Sequence, residues 1–320
     1  MEIYRSLDEI ARPFHRPAVT IGNFDGVHLG HQSLFCKVVE LASKREGDTV
    51  AITFEPHPLA VLRPQDPPKM ICTFHHKAEL ISRSGIEHLV SIPFTRELAS
   101  TPARVFVEEV LVKRIGVEDL VVGYDYAFGR GREGDTRFLA AVGEELGFRV
   151  HVMPPYRVGG EVVSSTRIRE LVSQGKMRRV AAMLGRFYQI RGVVQEGKRR
   201  GGPLVGFPTA NLHFDRHDLC PKEGVYVVQV IHDLCCYGGV VNIGTNPTFG
   251  DTGLVAEVHI FDFDKTIYGH QIKVNFIERL RDEIRFPSVE ALSAQIALDV
   301  AQAREIIARE SGLTRACLEG

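Results

Sequence analysis

Short runs of β-branched and aliphatic residues recur through the first half of the chain at Ala18–Ile21, Val50–Phe54, His88–Ile92, Leu120–Gly123 and Arg149–Met153. Longer segments with helical spacing separate them, over Gln32–Arg45, His76–Ser84, Ala103–Ile115 and Thr136–Leu146. Strand and helix in alternation predict an α/β fold with a mostly parallel sheet and helices on both faces. Such sheets bind ligands at the carboxyl ends of their strands, so chemistry is expected just after each run. A Ser/Thr cluster, Ser164-Ser165-Thr166, precedes Ile168-Arg169-Glu170-Leu171 and reads as a helix start, and Met177–Leu184 reads as a second helix.

The pattern changes near Gly185. From Tyr188 to Phe276 short strands are broken by Gly, Pro and Asp turns: Tyr188–Val194, Val225–Ile231, Tyr237–Asn242, Leu254–Ile260 and Gln271–Phe276. Closely spaced strands of this kind predict a small β-barrel or sandwich. A helix closes the region, with Ser288 as N-cap, Glu290 in the first turn and Leu292, Ile296 and Val300 spaced by four. Two domains are therefore expected, 1–185 and 186–320.

Composition narrows the function. The 320 residues carry a net charge of −1, which argues against a nucleic-acid footprint. With 44% hydrophobic and 25% charged residues the chain looks like an ordinary soluble protein. No apolar run approaches the roughly 18 residues of a membrane helix. The first residues, Met1 to Pro17, are charged and have no apolar signal core, so a cytoplasmic protein with no membrane partner is expected. The six cysteines contain no CxxC pair, which predicts reduced thiols rather than a zinc or disulfide framework.

Two constellations carry chemistry. The first, Gly22-Asn23-Phe24-Asp25-Gly26-Val27-His28-Leu29-Gly30-His31, follows the first strand and opens the first helix. Its glycines let backbone approach a phosphate, and the helix start offers unpaired N–H groups at a positive dipole end. His28 and His31, three apart, can face one ligand and bind the oxygens of a nucleoside triphosphate as charge builds. A metal-binding His pair or a plain glycine turn is the competing reading. Two further strand ends join it: Gly123-Tyr124-Asp125-Tyr126-Ala127-Phe128-Gly129, and the segment Ser164-Ser165-Thr166-Arg167-Ile168-Arg169. The second constellation starts with the basic glycine-rich run Gly197-Lys198-Arg199-Arg200-Gly201-Gly202-Pro203 and continues through Gly206-Phe207-Pro208-Thr209-Ala210-Asn211. The run can wrap phosphates or be a solvated charge patch. Thr209 and Asn211, alternating on a strand, are hard-donor candidates for Mg²⁺. Glu257, in a β-rich segment, is a candidate base for a substrate alcohol, with His259 on the same face.

The HxGH string with the later Ser-Ser-Thr-x-Ile-Arg resembles the HxGH nucleotidyltransferase superfamily. With Thr53-Phe54-Glu55-Pro56-His57-Pro58 and Gly123–Asp135, it resembles the FMN adenylyltransferase domain of bacterial bifunctional FAD synthetases. The resemblance implies that His28 and His31 meet ATP phosphates as catalytic groups. It puts Gly22, Asn23, Phe24, Asp25, Gly30, Gly123, Asp125, Ser164, Ser165, Thr166, Arg167 and Arg169 around the nucleotides, with Phe54 and Phe128 on the flavin side. The second half resembles riboflavin kinase of the same bifunctional type, through Gly206–Leu212, Gly224-Val225-Tyr226, Val241–Thr248, Glu257–Asp264 and Leu280-Arg281-Asp282-Glu283. This implies a six-stranded barrel with a C-terminal helix, and Gly197, Gly206, Pro208, Thr209 and Asn211 at Mg-ATP. It also implies Glu257 as general base for the ribityl 5′-hydroxyl, and Arg281, in a loop after the strand, on the flavin nucleotide. The substrates and products implied are ATP, riboflavin, FMN and FAD. Pro203 and Phe187 depart from the residues common in that family, basic and Pro respectively.

Overall fold

The computed structural model describes residues 1–196, 207–214, 217–245 and 253–310. They form two compact units, Met1–Ser165 and Thr166–Gly320.

The first unit is built on strands β1 (Glu2–Tyr4), β2 (Ala18–Ile21), β3 (Thr49–Glu55), β4 (His88–Pro93), β5 (Asp119–Gly123) and β6 (Arg149–Met153). They form one sheet in the order β1-β4-β3-β2-β5-β6, every neighbouring pair parallel. The alternation of side chains splits each strand between two cores. Val19, Ile21, Val50, Ile52, Val90, Ile92, Leu120 and Val122 belong to one, and Ala18, Ala51, Leu89 and Val121 to the other. Helices α1 (Leu29–Ser43) and α2 (Phe74–Arg83) cover the second core through residues such as Phe35, Val38 and Ile81. On the other face lie α3, which starts as Ala103–Val105 and continues as a π-helix over Phe106–Ile115, and α4 (Thr136–Leu146). An α-helix was the expectation for Ala103–Ile115. The wider π turn gathers its buried residues Phe106, Val107, Val110, Leu111 and Ile115 onto one face. After β6 comes a short hairpin, β7 (Arg157–Val158) and β8 (Glu161–Val162).

The chain winds leftward from β2 through β3 to β4, then crosses to β5 and β6 on the other side. The order therefore reverses between β2 and β5, and in open parallel sheets a ligand crevice lies at the carboxyl ends of that pair.

In the second unit, α5 (Ser165–Ser173) and α6 (Met177–Leu184) precede strands β9 (Tyr188–Val193), β10 (Ala210–His213), β11 (Gly224–His232), β12 (Cys235–Thr245), β13 (Leu254–Ile260) and β14 (Gln271–Arg281). The strands form an antiparallel sheet in the order β10-β13-β12-β11-β14-β9. Its two edges approach each other where the Gln195 N–H donates to the Asn211 carbonyl at 3.0 Å, giving a near-barrel. Alternate residues Tyr226, Val228, Val230, Val241, Ile243, Ala256, Val258, Ile272, Val274 and Phe276 fill its interior without measurable exposure. The outer face, with Val225, Val227, Val240 and Ile277, is covered by Val300, Ala303 and Ile307 of α7 (Val289–Glu310). Ser288 caps that helix as expected, its Oγ accepting from the Ala291 N–H at 3.2 Å.

The division between compact units lies earlier than the composition change at 185/186. Helices α5 and α6 pack with the second unit: Arg178 pairs with Glu278 and Glu310 at 2.6 and 2.7 Å, and the Lys222 N–H donates to the Val172 carbonyl.

Candidate active sites

The first site grows from the turn between β2 and α1. Phe24, Gly26 and Val27 all take positive φ (50°, 79° and 41°), which folds the chain tightly after the strand. His28 caps α1: its Nδ1 accepts the His31 N–H at 3.2 Å. An accepting Nδ1 leaves the ring proton on Nε2, so the neutral imidazole is a donor there. The His28 and His31 rings stack with centroids 3.5 Å apart, and Phe24 braces His31 edge-on at 5.3 Å. Gly30 makes this possible, because a Cβ there would lie 3.1 Å from the His28 ring. The first turn of α1 holds no acidic residue, so the positive end of the helix is not neutralised by its own side chains.

Asn23, Asp25 and Ser165 hold the turn in place. The Asp25 carboxylate, 1% exposed, accepts the Ile71 N–H at 3.1 Å and the Cys72 N–H at 3.4 Å, which makes it an anchor of the neighbouring loop. The Ser165 hydroxyl donates to the Asp25 carbonyl at 2.9 Å, so the Ser-Ser-Thr motif meets the HxGH turn. Ser164 beside it is half-buried. The Asn23 carbonyl accepts from the Lys77 ammonium at 3.3 Å, and the same ammonium donates to Thr53 Oγ1 at 3.2 Å. Lys77 is buried, lies 3.8 Å from Glu55, and burial pushes its pKa below the ordinary lysine value. Sequence reasoning missed it, because nothing in the run His75-His76-Lys77 marks a cation that folds inward.

At the end of β5, Asp125 is exposed and a Cβ on Gly123 would sit 3.3 Å from its Oδ1. Phe128 and Phe54 are half-buried and pack on the same core: Phe128 stacks on Tyr126 at 5.5 Å and Phe54 meets Phe94 edge-on at 5.7 Å. Thr166, Arg167 and Arg169 continue α5 into the second unit, with Arg167 paired to Glu170 at 2.8 Å.

The second site is a row across the outer face of the antiparallel sheet. Directly opposed residues in antiparallel strands share a face, and the register aligns Asn211 (β10), Glu257 (β13), Asn242 (β12), Val225 (β11) and Arg281 (β14). Glu257 is open to solvent yet surrounded by enough protein that desolvation raises its pKa, with Glu283 adding like-charge repulsion. Glu283 in turn accepts from Asn242 Nδ2 at 3.0 Å. A Cβ at Gly244 would fall 2.2 Å from Glu283 Oε1, so a larger residue there would push that carboxylate out of its place. Nothing in the sequence around Asn242 and Glu283 singles them out as partners of Glu257. Glu283 reaches Glu257 across the fold rather than along the chain, and no local pattern marks that.

Thr209 lies just before β10 rather than on it and is exposed. The exposed Pro208 offers its carbonyl to His259 Nδ1 at 2.9 Å, which fixes that proton and orients the ring against Phe207. Arg281 was expected in a loop. It is instead the last residue of β14, which irregular register with β11 carries further than its apolar run. Its Nε and Nη2 fork the buried Asp299 of α7 at 3.0 and 2.7 Å, and Nη1 donates to the Asp282 carbonyl. Gly197 and Gly206, with the basic run between them, lie outside the described residues.

A helix start at the switch point of a parallel sheet, and a polar row with one carboxylate on a small antiparallel sheet, are the arrangement of a two-part phosphate-handling transferase. Comparison with known proteins agrees. The FAD synthetase family model matches residues 11–167 and the riboflavin kinase model residues 184–307. A bifunctional riboflavin kinase/FMN adenylyltransferase of Escherichia coli K12 is 35% identical over 98% of this chain and 99% of its own. One from Pseudomonas fluorescens is 37% identical over 96% and 98%. A solved structure from Streptococcus pneumoniae, described as a macrolide-efflux protein, superposes with a TM-score of 0.83 at 30% identity, covering 95% of this chain and 98% of that one. No helix among the described residues is long and apolar enough to cross a membrane. The chain belongs to the bifunctional riboflavin kinase/FMN adenylyltransferase family.

Proposed function

We propose that the chain phosphorylates riboflavin with ATP to FMN and ADP, then adenylylates FMN with a second ATP to FAD and pyrophosphate. The observation that carries this is the full-length match to relatives of both names, with one family model on each half. The adenylyl transfer belongs to residues 1–185 and the kinase to 186–320.

In the kinase half, the ribityl 5′-oxygen attacks the γ-phosphorus while ADP leaves. Glu257 takes the hydroxyl proton, and its raised pKa makes it a stronger base once ionised. Asn211, opposite Glu257 in register, and Thr209 fit as hard oxygen donors for Mg²⁺. When bound, the ion neutralises phosphate charge. In the adenylylation half, the FMN phosphate is itself the nucleophile at the α-phosphorus, so no protein base is needed. His28 Nε2–H and the helix start supply positioning and charge stabilisation as pyrophosphate departs. Gly197, Gly206 and Pro208 remain assigned to the ATP side of the kinase, and Arg281 to the flavin nucleotide. We place the enzyme in the cytoplasm, where ATP is supplied, with no nucleic-acid or membrane partner.

The direct test is to incubate the chain with riboflavin, ATP and Mg²⁺ and separate the flavins by liquid chromatography. FMN and FAD are expected in sequence. Well-folded protein that forms neither product overturns the reading.

A further inference from the structure

Away from both sites, three ligand atoms converge at the tip of the β11–β12 hairpin. His232 Nε2 lies 3.0 Å from His270 Nδ1 and 3.4 Å from Asp233 Oδ2. All three atoms fall within 4.8 Å of one another, and no other such triad occurs among the described residues. We propose that His232, Asp233 and His270 form a binding site for a zinc-type divalent transition-metal ion.

Two of the separations, 3.0 and 3.4 Å, are close to those between neighbouring ligand atoms of one ion. Zinc bonds of about 2.0–2.1 Å at tetrahedral angles leave neighbouring ligand atoms about 3.4 Å apart. Without metal, one ring proton between His232 Nε2 and His270 Nδ1 accounts for the 3.0 Å contact, and the Asp233 carboxylate stands 3.4 Å from the same nitrogen. One divalent ion accepts a lone pair from all three. Two imidazoles and one carboxylate suit zinc and its neighbours rather than the oxygen-loving Mg²⁺.

The fold holds each ligand in position. His232 is 5% exposed and braced edge-on by Phe263 at 5.9 Å. Asp233 and Leu234 form a two-residue turn with φ of 49° and 65°, a conformation usually given to Asn and Gly. It is that turn which sets Asp233 beside His232. The His270 N–H donates to the Ile267 carbonyl at 3.1 Å, and its own carbonyl accepts the Val194 N–H at 2.9 Å. A bound ion would therefore tie the hairpin tip to the start of β14 and to the end of β9, leaving a fourth position for water.

The test uses the full chain, freed of metal by a chelator and titrated with Co²⁺ alone. One equivalent should bind with the strong visible absorption of a tetrahedral site, Zn²⁺ should displace it, and Zn²⁺ should raise the thermal unfolding midpoint. His270→Ala, at an exposed position, should weaken binding about tenfold or more, as should the near-isosteric Asp233→Asn. His75→Ala, which removes an unrelated exposed imidazole, should not. Absence of saturable binding in the wild type overturns the proposal, and so does equal binding in both ligand variants. If His270→Ala lowers the metal-free unfolding midpoint, Asp233→Asn decides alone.

Discussion

Glu283, held by Asn242, repels the charge of Glu257, and that coupling has a measurable sign. A like charge disfavours ionisation, so Glu283 adds to the rise that desolvation already gives Glu257. Glu283→Gln removes that charge and keeps the shape that receives Asn242. The acid limb of the kinase pH profile should then move to lower pH, because the base ionises more readily; an unmoved limb would show that Glu283 does not set the base. Glu257→Gln itself should cost about 10²–10⁴-fold in riboflavin phosphorylation. Lys77 acts differently: buried behind the HxGH turn, its amine donates to the Asn23 carbonyl, and burial works against its charge. Lys77→Met should lower FAD formation about tenfold through a higher KM for ATP, with FMN formation unchanged. Equal losses in both activities would mean that it only holds the fold.

Among the elements, the clearest dependency is between β14 and α7. Asp299 is 3% exposed and accepts a bidentate pair from Arg281, so Asp299→Ala leaves a guanidinium in a partly buried place without its counter-charge. About 3–5 kcal/mol of stability should be lost. Chemical denaturation followed by a probe in the second unit measures it, and a loss below about 1 kcal/mol would make the pair a surface contact in effect. These two residues also show what a sequence can carry. The strand-to-helix turn at His28 was legible because its glycines, cap and imidazoles lie within ten consecutive residues. So were β2, β6, α4 and β13, whose apolar runs end at Gly, Pro or polar turns. Arg281 was misplaced because β14 is extended by its irregular pairing with β11, and its partner Asp299 lies on a different element. The π-helix in α3 escaped for another reason: Phe106, Val107, Val110 and Leu111 read as an ordinary helical stripe, and only Ile115 falls on the face that the wider turn makes.

At the scale of the whole molecule, a net charge of −1 means that anionic substrates find no attractive overall field. In the proposed mechanism capture rests on local devices, a helix start and an imidazole pair in one unit, and hard donors beside a carboxylate in the other. In that reading each device serves one reaction; both reactions consume ATP, and FMN links them as the product of the first and the substrate of the second. His28→Ala should therefore cut FAD formation from supplied FMN by about 10²–10³-fold, the usual cost of losing a charge-stabilising donor, while riboflavin phosphorylation proceeds. FMN should then accumulate. Glu257→Gln should do the reverse: FMN formation from riboflavin cut by the factor given above, but undiminished FAD when FMN is added. Time courses of riboflavin, FMN and FAD for the two variants and their mixture check this. Because FMN released by the His28 variant can be used by the Glu257 variant, the mixture should restore FAD synthesis that neither shows alone. Failure of the mixture while both single activities persist would mean that FMN does not leave the chain that makes it.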